Sequence, residues 1–431
     1  MKYLPIGKEL FIENRNNLRK VLPPKSVAIL HSNDILPTNA DGTLPFLQNS
    51  DLFYLTGIDQ ENSILVLCPD HPEPDFREML FVVETNEHIA VWEGYKYTKE
   101  HATEVSGIEN VLWNSKFRDM LHLIMSEVNH VFLPTNEHRR SGALMEVQTQ
   151  NDRFIKWVKE QYPLHEYQRL APIMHDLRAI KGEREIELIG QACKITEKGF
   201  RRILGFVEPG VMEFEIEAEY LHEFVRNRSR GFAYTPIIAS GANSNVLHYI
   251  DNSLECKDGD LLLMDVGAEY SNYAADMTRT IPVSGRFTKR QREVYDAVLR
   301  VQREAMKILR PGTTIPEYHK EVGKVMESEL IGLGLLDKTD VKNQNEKSPL
   351  YKKYFMHGTS HHLGLDVHDY GNWYRTVEAG MVFTIEPGIY LPEEGFGIRL
   401  ENDIVIRENG WDDLMAGIPI DGDEIEELMN A

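Results

Sequence analysis

Cysteine, basic runs and long apolar stretches are all scarce in this chain of 431 residues. The three cysteines, Cys68, Cys193 and Cys256, are odd in number and far apart. They favour buried free thiols in a reducing compartment over a disulfide framework or a cysteine-type zinc site. No apolar run approaches the ~20 residues of a membrane helix, and the N-terminal residues lack the apolar core of a signal peptide. These features predict a cytoplasmic protein with no membrane partner.

The charge balance excludes a second class of partner. The formal net charge is −21, and no basic or basic-aromatic stripe interrupts it, so we expect no binding to nucleic acid or to anionic membrane surfaces. Hydrophobic residues make up 42% of the chain. At this length, that proportion predicts two domains with sizeable cores.

The first part of the chain alternates between helix-like and strand-like segments. Helices are predicted at 9–22 and along the apolar face from Phe117 to Val128. The predicted strands are 27–30, 52–55, 64–68, 79–83 and 131–133. This pattern favours a smaller α/β domain over residues 1–171. Trp92, in AVWEGY, could line a pocket, although core packing is the commoner role of a tryptophan.

The second part of the chain contains a pattern that occurs twice. A helix at 183–204 is followed by another near Glu213. A helix at 288–310, which opens with a capping box formed by Thr288 and Gln291, is followed by one with Pro316 in its first turn. Strands that carry acidic residues come after each helix pair. We therefore expect two similar α+β halves folded face to face. Residues 337–353 are polar and are predicted to form a loop.

The stretch 260–280, DLLLMDVGAEYSNYAADMTRT, predicts a β-hairpin that presents two carboxylates. Asp265 continues an apolar strand, and Asp276 ends a second apolar approach. A buried, unpaired carboxylate costs several kcal/mol, roughly. A cation could satisfy both groups. Alternatively, one aspartate caps a turn and the other pairs with Arg279, and the hairpin alone does not decide between these alternatives.

Four more segments carry residues that often bind metals. His248 ends a strand-like run at 245–249, and residues 356–369 hold four histidines. Glu386 follows an apolar run and precedes a Pro-Gly turn, while Arg399 and Glu401 share one face of a strand. Each segment has an ordinary structural explanation. Together, however, several buried carboxylates beside a histidine cluster favour a metal site.

At this point the sequence resembles a known family. The segments LLLMDVGAEYSNYAADMTRT, FMHGTSHHLGLDVHD, FTIEPGIY and GIRLENDIVI resemble the signatures of the pita-bread metallopeptidases, and most of all the Xaa-Pro aminopeptidases, or aminopeptidase P. QNSDLFYLTG at 48–57 is similar to the hallmark of that family's N-terminal domain. The resemblance implies a pita-bread catalytic domain over 172–431. That fold is α+β and pseudo-twofold, with curved antiparallel sheets and outer helices.

The resemblance also implies a set of site residues. The implied metal ligands are Asp265, Asp276, His361, Glu386 and Glu401. The implied catalytic residues are His248, His357, His368, Glu386 and Arg399. The implied substrate-binding residues are His248, His368, Tyr390 and Trp92. A site with four carboxylates and one imidazole suits two divalent ions, with Mn²⁺ preferred and Co²⁺ or Zn²⁺ tolerated.

The implied function is a metal-dependent hydrolase that releases the N-terminal residue from peptides with proline in second position, by attack of a metal-bridging hydroxide. The resemblance also implies a homodimer or homotetramer. In some relatives a tryptophan lies near the active site of a neighbouring subunit, and Trp92 is expected at that position. One alternative is a prolidase, which has the same site but cleaves only Xaa-Pro dipeptides. Another is a non-catalytic binding protein on the same fold, which the intact ligand set disfavours.

Overall fold

The computed structural model describes residues 2–139 and 147–431, which form two compact units. One unit comprises Pro5–Arg178, and the other comprises Ala179–Ala431 together with the residues before Pro5. The boundary predicted between residues 171 and 172 lies at the start of a helix, Ala171–Ala179, that ends at the junction of the two units. None of the helices in the two described ranges is long and apolar enough to cross a bilayer.

The unit Pro5–Arg178 is built on a mixed six-stranded sheet. Its strands are β1 (Ser26–His31), β2 (Ile64–Leu67), β3 (Glu78–Val82), β4 (Val111–Trp113), β5 (His130–Leu133) and β6 (Glu166–Arg169). Its helices are α1 (Glu9–Val21), α2 (Ser50–Thr56), α3 (Glu87–Glu93), α4 (Lys99–Ser106), α5 (Phe117–Met125), α6 (Gln150–Gln161) and α7 (Ala171–Ala179). The strand order is β4-β3-β2-β1-β5-β6. The predicted α/β class is confirmed for this unit.

One strand predicted for this unit is wrong. Residues 52–55 lie in helix α2, although their composition is typical of a strand. The side chain of Asn49 accepts a hydrogen bond from the backbone N–H of Leu52, which caps the start of the helix. Gly57 ends the helix with φ +68°, the left-handed conformation that glycine adopts at little steric cost. The caps on both sides therefore override the strand propensity of a short apolar run.

The second unit carries its helices in pairs. They are α8 (Glu183–Leu204), α9 (Glu213–Arg226), α10 (Lys289–Ile308), α11 (Ile315–Gly332), α12 (Lys338–Asn343) and α13 (Gly422–Met429). Helix α8 packs against α9, and α10 packs against α11. The predicted capping box of α10 is present, with Thr288 bonded to Gln291 in both directions. Residues 337–353 are not all loop, because they contain α12 and a 3₁₀ turn at Leu350–Lys353.

The strands of this unit also occur in two sets. The first set is β7 (Ile237–Ser240), β8 (Leu261–Val266), β9 (Glu269–Tyr270), β10 (Tyr273–Ala274) and β11 (Met277–Pro282). The second set is β12 (Val382–Ile385), β13 (Gly388–Leu391), β14 (Phe396–Arg399), β15 (Asn402–Arg407) and β16 (Gly410–Asp413). Each set holds a three-stranded antiparallel sheet, β11-β8-β7 or β12-β15-β16, and a two-stranded ribbon. A helix pair followed by such a set occurs twice, as the sequence pattern predicts.

The two sets of strands meet at β11. The backbone N–H of Glu401 donates to the carbonyl of Thr278 at 3.0 Å, and the hydroxyl of Thr280 donates to the carbonyl of Arg399 at 3.1 Å. These bonds join residues from the two sequence halves without a continuous ladder. Side chains that project from either set where these bonds form therefore face a common space.

Candidate metal centre

The predicted hairpin exists and presents both aspartates. Strands β8 and β11 pair antiparallel, with Asp265 opposite Thr278, and Asp276 directly precedes β11. Gly267 permits the tight return, because a Cβ atom at this position would lie 1.8 Å from the carbonyl oxygen of Ala275. The hydroxyl of Tyr234 lies 2.7 Å from Asp265 Oδ1 and 2.6 Å from Asp276 Oδ1. The two carboxylates therefore lie on either side of one phenol.

The second half brings the other acids to the same place. Glu386 follows β12, and Glu401 is the second of the two residues that connect β14 to β15. The hydroxyl of Thr278 donates to Glu401 Oε2 at 2.6 Å and accepts from Arg399 Nε at 3.1 Å. Thr278 on β11 thus connects the acid and the arginine that the sequence predicts on one strand face.

The histidine-rich segment brings an imidazole to the same acids. His361 Nε2 lies 3.4 Å from Asp276 Oδ2 and 3.9 Å from Glu386 Oε1. Its other ring nitrogen lies 3.0 Å from the carbonyl of His362, to which an Nδ1–H can donate. With that tautomer, Nε2 is left as a lone-pair donor towards the acids. The ring of His368 stands edge-on to that of His361, with 4.5 Å between the centroids.

This arrangement fits a divalent cation. Asp276, His361 and Glu401 each offer one ligand atom, and these three atoms lie within 4.8 Å of one another. The Tyr234 hydroxyl has one proton, so it can donate to only one of its two carboxylates at a time. The acids are therefore short of positive partners, and oxygen and imidazole donors are the ligands that Mn²⁺ and Zn²⁺ accept. Asp265 and Glu386 adjoin the three-residue cluster through Tyr234 and His361, respectively.

The pKa values of the acids in the metal-free site also show that positive partners are too few. Burial raises the pKa of Glu386 to about 7. Burial and repulsion from Asp276, Glu386 and Asp265 raise the pKa of Glu401 well above its ordinary value. Burial also raises the pKa of Asp265, although the charge of Arg399 opposes this effect. A bound cation would favour the ionised forms of all three groups.

A hydrogen-bonded chain runs beside the acids. Arg399 donates from one guanidinium nitrogen to Asp265 Oδ2 at 2.7 Å and from another to the Tyr390 hydroxyl at 2.9 Å. The Tyr390 hydroxyl lies 2.8 Å from His357 Nε2, and His357 Nδ1 lies 2.7 Å from the carbonyl of Gly358. Burial lowers the pKa of His357 to about 3. Its neutral ring can therefore accept from Tyr390 at Nε2 and donate to Gly358 from Nδ1.

The remaining predicted residues differ in their surroundings. His248 is exposed, and residues 245–249 are not a strand, because a 3₁₀ helix occupies Gly241–Asn245 and irregular backbone follows. Electrostatic repulsion from His248 contributes to the lowered pKa of His357, so these two imidazoles lie near each other. Trp92 lies on α3 in the other unit and is 81% exposed, so core packing is excluded as its role within this chain.

Two residues of the site were not anticipated, and one alternative fails. No motif marks Tyr234 in the sequence. Thr278 could have been found, because it follows Asp276 by two positions and residues two apart along a strand lie on the same face. Arg279 does not pair with either aspartate of the hairpin; it donates to the backbone carbonyls of Pro419 and Glu401 and to the side chain of Asn402. Arg279 therefore does not neutralise the two aspartates of the hairpin.

Comparison with protein families gives two matches. The model of metallopeptidase family M24 matches residues 187–408. The model of the aminopeptidase P N-terminal domain matches residues 11–132.

Individual relatives match along nearly the whole chain. The Xaa-Pro aminopeptidase of Escherichia coli (strain K12) is 35% identical over 441 residues, which covers 99% of this chain and 98% of that protein. A zinc-substituted structure of E. coli aminopeptidase P in complex with product superposes with a TM-score of 0.87 at 33% identity. A structure of the same enzyme with the inhibitor Pro-Leu gives 0.88 at 34% identity. Each structural match covers 99% of both chains.

Proposed function

The chain belongs to metallopeptidase family M24, with an N-terminal domain of the aminopeptidase P type, and we propose that it removes the N-terminal residue from peptides with proline in second position. It is a metal-dependent aminopeptidase with the pita-bread catalytic fold. The observation that carries the proposal is the convergence of Asp276, His361 and Glu401 on one space lined by Asp265 and Glu386.

We assign all five of these residues as ligands of two divalent ions, with Mn²⁺ preferred and Co²⁺ or Zn²⁺ tolerated. When bound, such a pair of ions lowers the pKa of a shared water and stabilises charge that develops on oxygen. The four carboxylates provide a hard, oxygen-rich set, and the imidazole of His361 is the single nitrogen donor. An oxygen-rich site of this kind suits Mn²⁺ better than a site with several nitrogen or sulfur ligands would.

Glu386 is the proposed proton carrier. Burial raises the pKa of Glu386 to about 7 in the metal-free site, and bound cations would favour its ionised, proton-accepting form. Its carboxylate can accept the proton of the attacking water and deliver it to the proline nitrogen that leaves. His357 Nδ1 lies 3.5 Å from Glu386 Oε2, so this neutral imidazole borders the carboxylate without forming a tight ion pair with it.

Arg399, His248 and His368 are the residues that we assign to position the substrate and the groups around it. Arg399 fixes Asp265 and Tyr390 through direct hydrogen bonds, and we assign Tyr390 to the wall that contacts substrate. His248 and His368 are assigned to orient the peptide and to stabilise charge on the carbonyl oxygen of the scissile bond. Both side chains are exposed, as groups that contact a substrate must be in the free protein.

The state of assembly and the compartment belong to the same proposal. None of the residues of α3 is buried, and Val91, Trp92 and Tyr95 are exposed large apolar side chains on or beside it. A cluster of this kind is typical of an interface. We propose a homodimer or homotetramer in which Trp92 contributes to substrate binding. The three buried free cysteines support a reducing compartment, such as the cytoplasm.

The proposed activity is tested by measuring kcat/KM for an Xaa-Pro dipeptide and for the same sequence extended by two residues, at equal metal loading. A prolidase must hold the free carboxylate of the proline, usually with an added positive group, whereas an aminopeptidase P leaves that direction open. Arg399 is the one arginine that the motifs place at the site, and it is engaged by Asp265 and Tyr390. We expect kcat/KM to be at least tenfold higher for the extended peptide, about 1.4 kcal/mol. Hydrolysis confined to the dipeptide would establish a prolidase instead.

A further inference from the structure

Glu213 is a completely buried carboxylate outside the metal centre. It is the first residue of α9, and none of its surface is exposed. Its Oε1 accepts from the backbone N–H and the hydroxyl of Ser240, at 2.8 and 2.6 Å. Its Oε2 accepts from the Tyr249 hydroxyl at 2.8 Å and from the backbone N–H of Leu254 at 2.9 Å. Four donors therefore fill the acceptor sites of one carboxylate.

All four donors belong to one segment, residues 240–254, which we call the His248 loop. The start of α9 does not need Glu213 for capping, because Glu215 accepts from the backbone N–H of Met212 at 2.8 Å. Hydrogen bonds to a buried carboxylate are about twice as strong as those between neutral groups. Glu213 consequently ties both ends and the middle of the His248 loop to a rigid helix.

The loop carries His248 beside one of the four donors, Tyr249. The loop is also fastened to the strand that ends in Arg399, because the backbone N–H of Gly397 donates to the Ser244 hydroxyl at 2.7 Å. The imidazole of His248 is itself exposed, so its position depends on the backbone that carries it.

We propose that Glu213 is a positioning residue that holds His248 in its place at the active site. The inference rests on the proposed role of His248 in the cleavage of Xaa-Pro peptides. The side chain of Glu213 bonds to Ser240, Tyr249 and Leu254, and none of these is an assigned metal ligand. It acts through the Tyr249 hydroxyl and the two backbone amides at Ser240 and Leu254.

The test starts with Glu213→Gln, which keeps the shape of the side chain but turns an amide group towards two of the four donors. We expect kcat to fall about 10-fold to 100-fold, the range for a misplaced catalytic group, with the metal content unchanged. Glu215→Gln is the matched control, since it alters an exposed carboxylate on the same turn of α9, and its kcat should stay within twofold of wild type. Tyr249→Phe removes a single bond and serves if Glu213→Gln does not fold.

The deciding measurement combines each variant with His248→Ala. If Glu213 acts through His248, Glu213→Gln or Tyr249→Phe should lower kcat less than threefold further in the His248→Ala background. Losses that simply multiply would overturn the inference, because a general structural defect does not depend on His248. Full activity of His248→Ala would overturn it as well.

A second readout does not depend on activity. Amide hydrogen exchange at Ser240 and Leu254 should accelerate in Glu213→Gln and remain unchanged in Glu215→Gln, because both amides donate directly to Glu213. Unchanged exchange in both variants would overturn the anchoring. A wild-type protein that does not cleave Xaa-Pro-Yaa peptides would overturn the proposed function instead, and the exchange measurement would still decide whether Glu213 anchors the loop.

Discussion

Removal of the metal should make the stability of this protein depend strongly on pH, with Glu386 as a main cause. The ordinary pKa of this carboxyl is 4.5, and burial in the metal-free site raises it to about 7. The folded chain therefore binds the proton more tightly than the unfolded chain does. The contribution of Glu386 to the stability of the metal-free protein is therefore fully present below pH 4.5, and it is lost as the pH rises from 4.5 to about 7.

The size of the decline follows from the shift. One pKa unit corresponds to 1.36 kcal/mol, so Glu386 alone lowers the free energy of unfolding by roughly 3 kcal/mol between these limits. The pKa values of Glu401 and Asp265 are raised too, and their contributions have the same sign. Metal binding reverses the trend, because the ligands must be ionised to coordinate and metal affinity grows with pH.

Glu386→Gln isolates the contribution of one carboxyl group. The amide resembles the protonated acid, so the metal-free variant should match metal-free wild type near pH 4.5 and exceed its unfolding free energy by roughly 3 kcal/mol at pH 8. With Mn²⁺ present the order should invert, because the variant lacks one ligand. Urea unfolding of both proteins from pH 4.5 to 8, with chelator or with Mn²⁺, measures both effects. A metal-free wild type that remains as stable as the variant at pH 8 would refute the argument.

Four further outcomes are expected. Elemental analysis of protein purified with Mn²⁺ should approach two ions per chain and chelation should abolish turnover; full activity after exhaustive chelation would contradict the metal assignment. His361→Ala should lose metal, since it removes a ligand, whereas His248→Ala and His368→Ala should keep metal and lose roughly 10²-fold to 10³-fold in kcat. The opposite pattern of metal content would show that these roles are reversed. Trp92→Ala should raise KM while metal content stays constant, and sedimentation should show an oligomer; a monomer at micromolar concentration would remove the basis for that effect.

Sequence patterns were sufficient where chemistry and local structure coincide. The hairpin of β8 and β11 is marked by an apolar run that ends on Asp265, and its acids are visible because carboxylates are rare in such runs. The capping box of α10 is equally local, since Thr288 and its partner are three residues apart. In both cases the residues that determine the structure are neighbours along the chain.

Interactions between distant segments could not be predicted in this way. The Tyr234 hydroxyl lies within hydrogen-bond distance of two acids that come 31 and 42 positions later in the chain, and an isolated tyrosine carries no pattern that reveals such partners. Glu213 looks like one of several acids at the start of an amphipathic helix, although it is buried and Glu215 is exposed. The misassigned strand at 52–55 has a related cause, because Asn49 and Gly57 determine a helix that the apolar residues alone do not indicate.

The position of Thr278 explains why the two halves depend on each other. Its hydroxyl proton is committed to Glu401, and the same oxygen accepts from Arg399, which in turn binds Asp265 on the other half. Asp265 and Glu401 are thus linked by three hydrogen bonds, each of which crosses from one half to the other. Neither half alone can satisfy its carboxylates, and unpaired buried charge is strongly unfavourable. The site is therefore complete only when both halves are in place, because each half supplies acids and the hydrogen bonds that hold them.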